Sequence, residues 1–277
     1  MIVFNGANLV GRELGFTGFE GVSEWMAADS AAQEKFKPLD TFAERFGEIL
    51  DEQRALGFDA IDLWIAQLHP SWATAEHIAL AREALDSRGM RAVSIGGRPG
   101  DTREDFERTC ELAEGIGATI LAGMSALPIA DPNWVRARLE QGDLVWGYEN
   151  HPEKTPQEVL AKIPDDSSGR VGITVDTGWW GTQGYDAARA IEEIGERVVY
   201  VHLKDVVEEG THITCRLGEG IVPVERCLRA LETVGYAGPI SIEHAPPAYD
   251  PREEVVDSLA RVRGWLAAMS AEPQKAR

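Results

Sequence analysis

The sequence predicts one α/β domain, an eight-stranded (βα) barrel, or TIM barrel. Three observations predict it. Short β-branched runs alternate with longer amphipathic ones along the chain, as repeated βα units of a parallel sheet require. Four junctions share one phrase, a helix end, a glycine and a new strand: ALGFDAIDL, SRGMRAVSI, GIGATILAG and VGYAGPISI. The length, 277 residues, suits a single barrel with no linker or low-complexity tract to divide it.

The first strand is expected near Ile2–Asn5. It runs into NGANLVGREL, which lacks the GxGxxG turn of a dinucleotide fold. The segment from Gly6 to Pro38 is too long for an ordinary βα turn, and Phe16, Phe19, Trp25, Met26 and Phe36 give it apolar surface to fold over the barrel mouth as a lid. A helix near Thr41–Leu56 and a strand near Ala60–Ile65 follow, then a helix near Ala75–Ser87 and a strand near Arg91–Ile95. Asp101 or Thr102 can cap the next helix, near Arg103–Ile116, before a strand near Ile120–Gly123. A helix near Trp134–Gln141 leads to a strand near Leu144–Glu149. Thr155 precedes Pro156 at the start of a helix near Pro156–Ile163. The remaining pairs are a strand near Gly172–Asp176 with a helix near Tyr185–Ile194, a strand near Val198–Leu203 with a helix near Pro223–Val234, and a strand near Ile240–Glu243 with a helix near Arg252–Met269. Gly57, Gly89, Gly117 and Gly235 stand where a helix wants a left-handed residue after its end. The tail after Met269, SAEPQKAR, is expected to fray.

Composition narrows the function classes. The hydrophobic fraction of 44% allows a large core, and 46 acidic against 27 basic residues give a net charge of −19. Such a surface repels phosphate backbones, so nucleic acid is not an expected partner. Cys110, Cys215 and Cys227 are odd in number and form no CxxC pair, which suits a reducing cytoplasm. No signal peptide and no run of roughly 18 apolar residues is present, so a soluble, cytoplasmic protein is expected. Trp265 and Leu266 on the last helix fit a homo-oligomer contact and inward packing equally well.

Four metal-type side chains end four strands: Glu149 in VWGYENH, Asp176 in GITVDTG, His202 in VVYVHLKD and Glu243 in ISIEH. In a (βα) barrel the C-terminal strand ends share one funnel, so these residues converge. Taken singly, each could be a helix cap, an ion-pair partner or a hydrogen-bonded core group. Together they bury several carboxylates, at several kcal/mol per charge unless a cation is present. Three carboxylates and one imidazole suit a divalent ion of intermediate hardness, Mn²⁺ first, with Mg²⁺, Co²⁺ or Zn²⁺ as rivals.

The phrases YENH, VDTG, HLKD, RLGEGIVP and SIEH resemble those of the sugar phosphate isomerase/epimerase family, with its xylose-isomerase-like barrel. The resemblance implies that Glu149, Asp176, His202 and Glu243 bind one divalent cation, and that Glu149 and Glu243 also move protons at the carbon beside a carbonyl. An isomerase or epimerase of a sugar or keto-polyol is the expected enzyme. The same fold hosts a second class, lyases and dehydratases of keto-inositol or oxidised-glycoside type, which use the same site for β-elimination. The chain departs from the family in one place: DTGWWGTQG puts Trp179 where a His is common. Trp179 and Trp180 offer a stacking wall, or one of them packs in the helix layer. His69, Lys204 and Arg216 are further substrate-binding candidates. Lys204 shares a strand face with His202, though a pairing with Asp205 fits as well. His151 and His244 follow ligands and are turned away from the centre, and His212 is uninformative. The related DNA-repair endonuclease barrel needs more than the six histidines here, and a catalytically silent barrel would not need the full ligand set.

Overall fold

Strands that are apolar on both faces need a cover on each, and a closed ring of strands inside a ring of helices supplies both. The computed structural model has this arrangement. It describes residues 1–17, 22–166, 168–246 and 249–272, with the backbone alone at 22–24. The barrel strands are β1 (Ile2–Asn5), β2 (Ala60–Trp64), β3 (Arg91–Gly96), β4 (Ile120–Ala122), β5 (Val145–Glu149), β6 (Val171–Asp176), β7 (Val198–Leu203) and, after a two-residue hairpin of β8 (Asp205–Val206) and β9 (Thr214–Cys215), β10 (Ile240–Ile242). All barrel pairs are parallel, and β1 closes the ring between β2 and β10, with Ile2 opposite Ile240 and Asn5 opposite Asp62. Every residue of β2 and β6 is buried.

The outer layer is α2 (Leu39–Ala55), α3 (Ala75–Arg88), α4 (Arg103–Ile116), α6 (Pro132–Gln141), α7 (Pro156–Leu160), α9 (Ala187–Ile194), α10 (Val224–Thr233) and α11 (Arg252–Ala271). Thr102 and Thr155 cap α4 and α7, accepting from the N–H of Asp105 and of Glu158. Asp101 accepts instead from Ala126 N–H at 2.8 Å. Gly57, Gly89, Gly117 and Gly235 all have positive φ, from 61° to 95°, as expected of helix-ending glycines.

Three details differ from the sequence reading. The long segment after β1 holds a helix, α1 (Val22–Phe36), whose Ala28, Ala32 and Phe36 are buried. Trp25 packs edge-on against Trp64 at 6.0 Å, beside the end of β2. Met26 is exposed, and Phe19 lies outside the described residues. The last helix continues through Ser270 and Ala271, where Ser270 Oγ donates to the Leu266 carbonyl. Two short helices, α5 (Leu127–Ala130) and α8 (Thr177–Thr182), follow β4 and β6. Among the described residues no helix is long and apolar enough to cross a membrane.

Candidate metal centre

Consecutive strands bring the four ligand-type residues together because each stands at the C-terminal end of its strand. Glu149 and Asp176 are the last residues of β5 and β6, His202 is one from the end of β7, and Glu243 follows β10. Register completes the alignment, with Asp176 opposite His202 and Ser241 opposite His202. One ligand atom from each lies within 4.8 Å of the others, and all four residues are buried.

His202 Nδ1 lies 2.6 Å from Glu149 Oε1 and 3.1 Å from Glu243 Oε2. The two glutamates stand three strands apart around the ring. Lys204 Nζ reaches in beside them, 2.7 Å from Asp176 Oδ2 and 2.6 Å from Glu243 Oε1. The pairing of Lys204 with Asp205 does not form; both carboxylates that hold the ammonium belong to the quartet. Backbone hydrogen bonds fix the frame: Asn150 Nδ2 donates to the Asp176 carbonyl at 3.0 Å, and Asp176 N–H donates back to Asn150 Oδ1 at 2.9 Å.

Sequence reading missed Asp62, which is 1% exposed in β2. Its Oδ2 faces His202 Nε2 at 2.9 Å and accepts from Asn5 Nδ2 and Ser241 Oγ, each at 3.3 Å. Asp62 Oδ1 has no hydrogen-bond partner among the described residues. The site therefore buries four carboxylates against at most two cations, Lys204 and a protonated His202. With all four ionised the shortfall is two positive charges or more, and a divalent ion fits it. The same field sets the protonation of the group. Burial alone would push the Glu149 and Glu243 carboxyls up, but His202 beside Glu149 and Lys204 beside Glu243 hold both low. Burial raises Asp176 despite Lys204. For His202, burial is outweighed by the surrounding carboxylates, which raise it.

Above the quartet stands an aromatic stack. Trp179 lies on His212, with ring centroids 3.8 Å apart and planes at 16°, and His151 is tilted against Trp179 at 5.1 Å. Thr182 Oγ1 lies 2.8 Å from His212 Nδ1, and Lys204 Nζ lies 3.5 Å from His212 Nε2. Burial and Lys204 lower the His212 imidazole to about 2, so it is neutral. His212, passed over as a loop residue, thus brings an imidazole beside the Trp179 that departs from the family. Trp180 is fully buried in the helix layer against Tyr185.

The other candidates are placed as follows. His151 Nε2 lies 3.9 Å from Glu149 Oε2. His244 is fully buried, bonded to Thr214 and Glu254, and its N–H donates to Asn8 Oδ1. His69 Nδ1 lies 2.8 Å from Ser71 Oγ in its own turn. Arg216 is paired with Glu219 at 3.5 Å and with Asp257 at 3.3 Å. Asp62 breaks the apolar run AIDLW, a signal of the kind that marked the quartet; His212 carried no sequence signal.

Known proteins share this fold. An L-ribulose 3-epimerase matches over 100% of both chains with a TM-score of 0.66 at 16% identity. A D-allulose 3-epimerase from Methylomonas sp. covers 95% of this chain and 98% of its own, at TM-score 0.63 and 15% identity. At those identities the likeness is one of fold. In sequence, an L-ribulose-5-phosphate 3-epimerase of Escherichia coli, UlaE, is 40% identical over 76 residues, which is 27% of this chain and 25% of that protein. The match thus spans about a quarter of the curated relative. A family model described as a xylose isomerase-like TIM barrel matches residues 11–268, from the segment after β1 into the last turn of α11, with all four ligand-type residues inside it. The chain belongs to the xylose isomerase-like TIM barrel family.

Proposed function

We propose that the protein is a divalent-metal-dependent isomerase or epimerase of a sugar or keto-polyol, with Glu149, Asp176, His202 and Glu243 as its metal ligands. The observation that carries this reading is the approach of Glu149 Oε1 and Glu243 Oε2 to one imidazole nitrogen from two separate strands, at 2.6 Å and 3.1 Å. Two carboxylates facing one small volume can serve the two faces of a carbon placed between them. A bound divalent cation, Mn²⁺ first by donor hardness, would polarise the substrate carbonyl.

One glutamate takes the proton from the carbon next to the carbonyl, and the C–H electron pair moves toward the carbonyl oxygen. The other glutamate relays a proton from water to the opposite face for epimerisation, and the proton taken by the first is passed to solvent. Both carboxyls are held low and ionised, as a base must be at neutral pH. Asp176 and His202 would hold the ion, and Trp179 with His212 would form a flat wall for the substrate.

The test is deuterium incorporation from D₂O into ketoses by the Mn²⁺-loaded enzyme. Glu149→Gln and Glu243→Gln should each lower the exchange rate by about 10²–10⁴, the usual contribution of a positioned base. Full exchange in both variants would refute the assignment. One observation favours a second reading, β-elimination: the Lys204 ammonium, 2.6 Å from Glu243, is placed to protonate a leaving group. Release of water or aglycone from 3-keto-glycosides, with no epimer formed, would select it.

A further inference from the structure

In (βα)₈ barrels a phosphate is commonly held by the loops after the seventh and eighth strands and by a helix N-terminus beside them. Here the chain's own anions stand at these places. After β7, the loop Arg216–Val222 aims its backbone donors at Asp205, which is fully buried. Asp205 Oδ2 accepts from Gly218 N–H at 2.9 Å and Gly220 N–H at 3.0 Å. Its Oδ1 accepts from Val206 N–H and Val222 N–H, each at 2.9 Å. Converging N–H groups of this kind form an anion cradle, and its resident is a side chain. After β10, the eighth barrel strand, Asp250 and the first-turn residues Glu253 and Glu254 place three carboxylates where a dianion would need the positive end of α11. After β6, Trp179 N–H is given to Asp176 Oδ1 at 3.0 Å.

The arginines of the strand-end loops are spent in the same way. Arg12 pairs with Glu13 and Glu52, Arg98 with Asp101, Arg216 with Glu219 and Asp257, and Arg252 with Glu52 and Asp250. Lys204 lies between Asp176 and Glu243. Lys154, after β5, and Lys37, just before α2, are exposed. The stretches 18–24 and 247–248 read GFEGVSE and PA, and bring no Lys or Arg.

We infer that the substrate is an uncharged, unphosphorylated polyhydroxy carbonyl compound, a specificity that rests on reading the quartet as an enolising site. A phosphate would enter a mouth whose converging loop donors already hold Asp205 and whose arginines are matched, above four buried carboxylates. A hydroxyl in its place needs no counter-charge, and the stack of Trp179 on His212 meets the C–H face of a neutral sugar. The Escherichia coli relative is named for a phosphate ester; the loops of this chain suit an unphosphorylated one.

The test gives the Mn²⁺-loaded enzyme free ketopentoses and ketohexoses, and separately their terminal phosphate esters, and reads deuterium incorporation by NMR. The expected result is a kcat/KM for the best free ketose at least about 100-fold above that of its phosphate ester, the discrimination a polar site readily achieves. Inorganic phosphate should leave the rate and the amide shifts of Gly218, Gly220 and Val222 unchanged. A preference for the phosphate esters, or a saturable shift of those amides, overturns the inference; loss of that preference in Lys154→Ala would then locate the phosphate. If neither class exchanges, enolisation is the reading that fails. Substrate class is then decided by calorimetric binding of the same compounds: tighter binding of free ketose supports the inference, and tighter binding of the ester, or binding of neither, overturns it.

Discussion

His202 divides its two ring nitrogens between two tasks. Nδ1 faces Glu149 and Glu243, while Nε2 faces Asp62 at 2.9 Å. A proton on Nε2, turned toward Asp62, would leave the Nδ1 lone pair for a cation, the arrangement in which an outer carboxylate orients a ligating imidazole. Asp62→Asn keeps the shape but puts a donor where the acceptor was. Mn²⁺ affinity by calorimetry should fall about 10–100-fold, with the melting temperature of the metal-free protein nearly unchanged. Equal affinity would remove Asp62 from the centre. The quartet was legible because each member ends an apolar run at a strand terminus, where a charge has no other reason to be buried. Asp62 interrupts AIDLW in the same manner, but its reason is an imidazole on β7, and nothing along the chain announces that neighbour. His212 was illegible for a plainer cause: its position is set by a tertiary stack on Trp179.

Between α7 and β6 the chain turns around one carboxylate. Asp166 accepts from the N–H groups of Ser168, Arg170 and Val171 and from Ser168 Oγ, and pairs with Arg136 at 3.0 Å. Burial would raise its carboxyl, but these donors hold it down at about 2. A depressed carboxyl stabilises the fold above its unfolded value near 3.9, and that stability is lost as pH falls through the folded value. Asp166→Asn should therefore cost about 1–2 kcal/mol at pH 7, and the gap to the parent in urea melts should narrow between about pH 4 and pH 2. A gap independent of pH would mean that the charge is not what holds the turn. The elements with whole turns of pattern, such as α4 and α9, were readable from spacing and caps. α1 was not: its buried stripe includes Ala28 and Ala32, whose small side chains give little contrast with the polar face. The β8–β9 hairpin has two residues per strand, too short for any period to show.

At the scale of the whole molecule, the candidate metal centre joins four strands whose residues are spread from Glu149 to Glu243. A cation bound there is linked to global stability, since the unfolded chain has no such cluster. Free Mn²⁺ at 100 times its dissociation constant should add about 2.7 kcal/mol, and melting should occur roughly 5 °C higher than after chelation by EDTA. Melting curves that ignore the metal would refute the centre as assigned. The barrel itself was legible because strand and helix patterns alternate along the chain and four junctions share one phrase, while what lies above the candidate metal centre depends on loops that obey no repeat. The pairing of β1 with β10 carries one more consequence. A chain leaving the ribosome displays Glu149, Asp176 and His202 before Glu243, and the ring cannot shut until the last strand arrives beside the first. Co-translational intermediates therefore offer an ion three ligands at most, and a full coordination shell marks a molecule that has finished folding.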